Sequence, residues 1–226
     1  MNIELTLETL SPLHLGSGEA DVNVDAEVVH DAYGMPYIPG RRFKGLLYES
    51  ALEVVEIAKR SGLAKLSALS AAALFRHSGE TATTNAVSCQ LVVPNLYLSS
   101  SDGYPALAAA WERLQTDYPD LLRPADLLEE YTSLRYQTKL TNGVAAKGSL
   151  RNMRVIHAGI TFAGTLSLQG NDAEAALPLL AASVRNLRHA GLKRTRGFGE
   201  ISCHLSVLDG AHKGATEETI LEEVLA

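Results

Sequence analysis

Along this chain the spacing of apolar residues switches from every second position to a helical spacing and back, twice, and that order limits the folds open to it. Ile3, Leu5 and Leu7 alternate with polar residues and stop at Ser11-Pro12, as a strand with one buried face does. Pro39-Gly40 then opens a helix, with Phe43, Leu46, Leu47, Ala51, Val54, Val55 and Ala58 in a near-complete i, i+3, i+4 series on its core face. Gln90 to Leu98 reads as strand, interrupted by Pro94 and so placed at an edge or a bulge. A second helix is predicted to begin near Pro178, to carry Leu180, Val184 and Leu187 inward, and to stop at Gly191. Ile201, Cys203, Leu205 and Val207 alternate as a last strand.

Between these elements the pattern is less regular. Residues 61–80, rich in Ala, Ser and Leu, predict one more helix ending near Ser78-Gly79, and Trp111 to Arg135 reads as helical pieces broken at Pro119 and Pro124. Tyr136 to Thr141, the turn Asn142-Gly143, and Met153 to Leu168 predict a long hairpin, because Asn-Gly tolerates the positive φ of a tight reversal. The order β-α-β, insertion, β-β-α-β fits an α+β class and a ferredoxin-like (RRM-like) domain with an inserted helical region and a long hairpin. One domain over residues 1–226 is expected, with 61–135 partly an insertion and 208–226 a C-terminal tail. The tail's apolar Ile220, Leu221, Val224 and Leu225 would suit docking on a neighbour or fraying.

Composition closes off several classes. With 226 residues and 46% hydrophobic content the chain buries a real core. No apolar run approaches the roughly 18 residues of a membrane span, and Met1-Asn2-Ile3-Glu4 lacks a signal-like start, so a cytoplasmic protein without membrane contact is expected. Cys89, Cys203 and the seven histidines fall into no zinc-ligand spacing, while a pairing of the two cysteines in space is left open.

Charge is the strongest functional signal. Thirteen of the twenty Lys and Arg residues lie in three windows without Asp or Glu: Arg41 to Lys44, Arg135 to Arg154, and Arg185 to Arg196. A chain of net charge -6 that concentrates its bases in this way suits a local polyanion site on a repulsive body. Arg41, Arg42 and Lys44 fall on the first turns of a helix, where the free amides and the dipole already favour an anion. Lys139, Lys147, Arg151 and Arg154 lie along the hairpin. Lys193, Arg194 and Arg196 stand among the glycines of Gly191-Leu192-Lys193-Arg194-Thr195-Arg196-Gly197-Phe198-Gly199, which free the backbone to approach a phosphodiester closely. Phe198, between two of those glycines, is the candidate to stack on a base or ribose.

Together the three segments resemble one family, the RAMP superfamily of CRISPR-Cas RNA-binding subunits, and especially the repeated backbone subunit of type III effector complexes. Tyr37-Ile38-Pro39-Gly40 followed by Lys44-Gly45 is similar to that family's helix-opening motif. Gly191 to Gly199 is similar to its glycine-rich loop, and Asn142-Gly143 through Gly148-Ser149-Leu150-Arg151 resembles its hairpin that reaches between nucleotides. Arg41-Arg42 stands where the family usually carries small residues. The resemblance implies subunits that polymerise along a CRISPR guide RNA, leave its bases free to pair with target RNA, and sit beside other effector subunits, copies of this chain included. It also implies target cleavage by a loop aspartate holding a divalent metal, Mg2+, and the matching position here is Asp25. Glu19, Asp21, Glu27 and Asp31 lie near it in sequence and could help hold the ion; His14 and His30 are candidate proton carriers.

The residues alone leave other readings open. A non-catalytic scaffold or capping subunit would need the basic windows and not Asp25. A guide-processing nuclease of the same superfamily would rely on His or Tyr without metal, and a protein-interaction module would bind no RNA.

Overall fold

The computed structural model describes every residue except 21–22, 68–70, 76–88, 101–102, 120 and 226. Its elements in chain order are β1 (Asn2–Thr9), α1 (Gly40–Ser61), α2 (Ala64–Ser67), α3 (Ala71–Phe75), β2 (Cys89–Val92), β3 (Tyr97–Leu98), α4 (Gly103–Asp117), α5 (Pro124–Tyr131), β4 (Thr132–Gln137), β5 (Leu140–Thr141), β6 (Val144–Ala145), β7 (Arg151–Ile156), β8 (Thr161–Gly170), α6 (Ala173–Asn186), β9 (Ile201–Val207) and α7 (Glu217–Leu225). This is a mixed α+β architecture. Among the described residues no helix is long and apolar enough to cross a membrane.

The main sheet runs β2-β8-β1-β9, antiparallel throughout, and β3 also pairs with β8 beyond the break at Pro94. Registers set Ile3 opposite Leu166 and Val207, and Leu7 opposite Phe162 and Cys203, so the alternation in three strands gives one apolar face. The long helices α1 and α6 pack on that face and on each other, and α7 lies against α6 and β9. Phe43, Leu47, Ala51, Leu177 and Leu180 join the sheet residues in one core. The other face is polar, with Glu4, Glu8, Thr165 and His204 exposed. Cys89 and Cys203 are free and buried, and burial, with Glu217 nearby, pushes the Cys203 thiol up to about 12.

Three predicted elements have different bounds. α6 begins five residues before Pro178, because the Ala176 amide already bonds to the Asp172 carbonyl; an interior proline then forfeits only the bond to the Glu174 carbonyl. The hairpin arms are β4 and β7, paired from Thr132–Ile156 to Gln137–Arg151, and residues from Thr161 onward leave them to join the main sheet as β8. The helix expected over 61–80 is two short pieces, α2 and α3, and its predicted end lies outside the described residues. At the hairpin tip β5 and β6 reverse through Asn142 and Gly143, both at positive φ (52° and 80°), as the Asn-Gly pair requires.

After β1, parts of the segment before α1 lie beside the hairpin. Leu13 bridges to Ile156 and the Arg154 amide donates to the Ala26 carbonyl. That alignment brings the loop carrying Asp25 against β7.

Candidate nucleic-acid interface

The glycine-rich loop is clamped before any ligand arrives. Leu192 N–H donates to the His14 carbonyl, Gly199 N–H to the Pro12 carbonyl, and Ala190 N–H to the Gly199 carbonyl. A Cβ at Gly191 would sit 2.4 Å from the His14 oxygen and one at Gly199 2.0 Å from the Ala190 oxygen, and both glycines have positive φ, so no other residue fits there. Residues 194–196 make a single 3-10 turn that projects outward, with Arg194 and Arg196 exposed. Lys193, itself at φ 62°, turns back to donate to Gln137 Oε1 and the Met153 sulfur on the hairpin arms. Burial, and secondarily the charge of Arg196, hold its ammonium below the usual lysine range.

Loop and hairpin enclose a cleft of about 620 Å³. Lys139 and Arg151 line it from the hairpin, Lys193 and Arg196 from the loop, and Asp25 is its one carboxylate among the described residues. A second cleft of about 520 Å³, more apolar, adjoins it; Arg42 lines its rim, and His14, Asp25, Ala26 and Leu192 belong to both. Asp25 and His14 therefore stand on the ridge between the two. His14 is 2% exposed, and its Nδ1 must donate to the Arg154 carbonyl 2.7 Å away, which leaves Nε2 as the ring's acceptor when neutral. Asp25 is exposed; its carboxylate Oδ2 accepts the Asn152 amide at 2.8 Å, and its own amide donates to Asn152 Oδ1 at the same distance.

The three basic windows do not converge completely. At the start of α1, Gly40 fits tightly under Val93 and Pro94 and no acid occupies the first turn. Arg42 donates to the Gly16 carbonyl beside the second cleft, Arg41 is exposed and lines neither cleft, and Lys44 donates to the Leu91 carbonyl on β2, away from both. Arg154 is closed into an ion pair with Glu27 at 2.9 Å. Arg194 lines a third cleft, with Glu49 and Glu53 on the far side of α1, while Lys147 and half-buried Phe198 stay outside the first two. Asp31 is engaged by the Tyr33 and Met35 amides and the Tyr104 hydroxyl, and His30 Nδ1 meets the Asp31 carbonyl. Asp21 lies outside the described residues. Among the described residues no group of three His, Cys, Asp or Glu side chains stands close enough to cage a metal ion.

A family model described as the RAMP superfamily matches residues 6–202. The chain belongs to the RAMP superfamily. Among solved structures, this RAMP chain is similar to one titled "Cryo-EM structure of the Type III-B Cmr-beta bound to cognate target RNA", with TM-score 0.59 and 10% identity over 97% of this chain and 98% of that one. A second, "Type III-B Cmr-beta Cryo-EM structure of the Apo state", gives TM-score 0.58 and 11% identity over 90% and 96% of the two chains. No curated protein matches its sequence. At such identities the likeness is one of fold.

Asn152 and Gln137 contribute to the RAMP chain's cleft without having been singled out in the sequence, whereas Ser149 belongs to the hairpin segment identified there. Ser149 Oγ accepts the Lys139 amide and donates to the Ala146 carbonyl, shaping the hairpin where it meets the cleft. No local pattern marks Asn152 and Gln137; the β4–β7 register brings them to the cleft.

Proposed function

We propose that this RAMP chain is a guide-RNA-binding backbone subunit of a type III CRISPR-Cas effector complex, acting in the cytoplasm beside copies of itself or related subunits and cutting guide-paired target RNA at Asp25. The observation that carries the reading is the first cleft, where among the described residues a single carboxylate, Asp25, shares the lining with four cations. Such a lining holds a phosphodiester backbone and presents one acidic group to it. The strand order β2-β8-β1-β9, with α1 and α6 on one face, supports a ferredoxin-like domain within the family. The two solved structures cited above come from Type III-B Cmr complexes, one of them bound to target RNA.

The chemistry follows from the residues. Attack of a ribose 2'-hydroxyl on the adjacent phosphate closes a 2',3'-cyclic phosphate as the bond from phosphorus to the 5'-oxygen breaks; it needs an acceptor for the hydroxyl proton, a proton from solvent for the departing 5'-oxygen, charge neutralisation on the non-bridging oxygens and in-line geometry. His14 Nε2 is an acceptor on the ridge, its tautomer set by the Arg154 carbonyl. Lys193 and Arg196 neutralise the phosphate from the loop, and Lys139 and Arg151 hold the strand from the hairpin. Asp25 would hold a divalent ion such as Mg2+, an ion commonly bound through one or two carboxylates, and among the described residues no all-protein cage competes with it. When bound, such an ion supplies Lewis-acid stabilisation at the phosphate.

A second reading has its own observation. A carboxylate tied to the Asn152 amide is also what a structural pin looks like, and a non-catalytic scaffold or capping subunit would keep the same cleft. Asp25→Asn separates the two. In a complex assembled with guide RNA and Mg2+, target cleavage is expected to fall at least about a hundredfold while guide and target affinities stay within a few fold. Cleavage at the wild-type rate would leave the scaffold reading in place.

A further inference from the structure

Among the described residues, the loop that carries Asp25 is fastened to the hairpin by the Arg154 contacts to Ala26 and Glu27 and, at Asp25 itself, by one side chain 127 residues away. Asn152 Oδ1 accepts the Asp25 amide at 2.8 Å, Asn152 Nδ2 donates to the Asn23 carbonyl at 2.7 Å, and the Asn152 amide donates to Asp25 Oδ2 at 2.8 Å. An N–H partner on one side and a carbonyl on the other settle which end of the side-chain amide is which. Only a carboxamide meets both at once, since aspartate lacks the donor and serine lacks the reach.

The three bonds have a chemical consequence. Backbone and carboxylate of Asp25 both close on one residue, so the carboxylate cannot swing without leaving its ring of bonds. Oδ2 is occupied; Oδ1 has no hydrogen bond among the described residues and is the oxygen left for the clefts that Asp25 lines. Asn152 is on β7, opposite Tyr136, and directly follows Arg151, one of the four cations of the first cleft. A strand that seats RNA at Arg151 therefore also sets the position of Asp25.

We infer that Asn152 is a positioning residue for Asp25: it fixes the carboxylate relative to the RNA held on the hairpin and so selects which phosphodiester is cut. This rests on the proposed cleavage function. Asn152 acts through Asp25 and not on the reacting atoms.

The test uses the complex assembled with guide RNA and labelled target, comparing wild type, Asn152→Ala, Asp25→Asn and the double variant under single turnover. Asn152→Ala is expected to cleave about ten- to a hundredfold more slowly with target affinity within about twofold. Its cuts should spread to neighbouring phosphodiesters, and the double variant should be no slower than Asp25→Asn alone. A merely structural role would move the melting temperature and not the cutting position. Wild-type rate and cutting position in Asn152→Ala, with Asp25→Asn inactive, would overturn the inference and leave the proposed function standing. A double variant far slower than Asp25→Asn would overturn it too, because Asn152 would then act independently. Wild-type cleavage by Asp25→Asn would overturn the function and the inference together. Where Asn152→Ala fails to assemble, Asn152→Asp keeps the acceptor for the Asp25 amide and carries the test: a rate at least about fivefold below wild type is expected, and an unchanged rate overturns the inference.

Discussion

Arg154 and Glu27 meet at 2.9 Å with their side chains 12% and 11% exposed, and Arg154 also reaches the Thr132 hydroxyl. A guanidinium so enclosed contributes to the fold by joining the Asp25 loop to the hairpin, and little of it is left for a phosphate. Arg154→Met would strand the Glu27 carboxylate, so urea unfolding should show a loss of about 3–5 kcal/mol, while RNA affinity of the remaining folded protein keeps its salt dependence. Sequence makes such a residue's charge legible and its partner invisible: Arg154 reads like Arg151 until the β4–β7 register turns one to the ion pair and the other to the cleft. Asp25 shows the opposite case. Its place before the helix-opening motif is readable, whereas the Asn152 amide that orients it comes from a strand no local pattern could pair with it.

Elements differ in how much they give to the fold and how much to the site. The hairpin tip from Thr141 to Gly148 contains no buried residue. Deleting it should leave the unfolding midpoint nearly unchanged, yet it should blur the spacing of nuclease protection along a guide RNA, an effect read from the protection ladder. The terminal helix α7 is fastened differently. Glu217, 3% exposed in its side chain, accepts the Leu205 amide and meets His204 Nδ1 at 2.8 Å. Burial works to raise its pKa, but those hydrogen bonds prevail and the carboxyl lies below the usual range. A lowered folded value means the contribution is present above the unfolded pKa and is lost as pH falls through the folded one. Glu217→Gln should therefore cost about 1–3 kcal/mol at neutral pH, and the gap in melting temperature from wild type should close under acid conditions, below about pH 4. From sequence the tail suits docking on a neighbour or fraying; in the fold α7 packs instead on α6 and β9 of its own chain, with Ile220 buried. Glu217 as the fastening was not legible, because Leu205 and His204 belong to a distant strand.

At the scale of the molecule, charge is separated in space as it is in sequence. Lys139, Arg151, Lys193 and Arg196 share one cleft, and Glu4 and Glu8 stand on the outer face of the sheet. RNA binding should weaken steeply with salt, and replacing all four cleft cations by alanine should flatten the slope of log affinity against log salt by roughly three units; Lys44→Ala, whose ammonium is on β2, should barely move it. The main strands and both long helices were legible because their periods are clean. The helical insertion was read only coarsely, since α4 has no fully buried residue to impose a period. The sheet's two open sides carry one more consequence. On β2 the outward Leu91 carbonyl is taken by the Lys44 ammonium, and Pro94 breaks the line before β3. On β9, Ser206 is bridged by Thr216 and Val207 bonds to Ala215. Among the described residues, partners from within this chain thus occupy part of both margins, which limits the edge-to-edge pairing by which sheet proteins aggregate or swap. Under the proposed function, copies of this chain are gathered by the strand they coat, and its length decides how many gather.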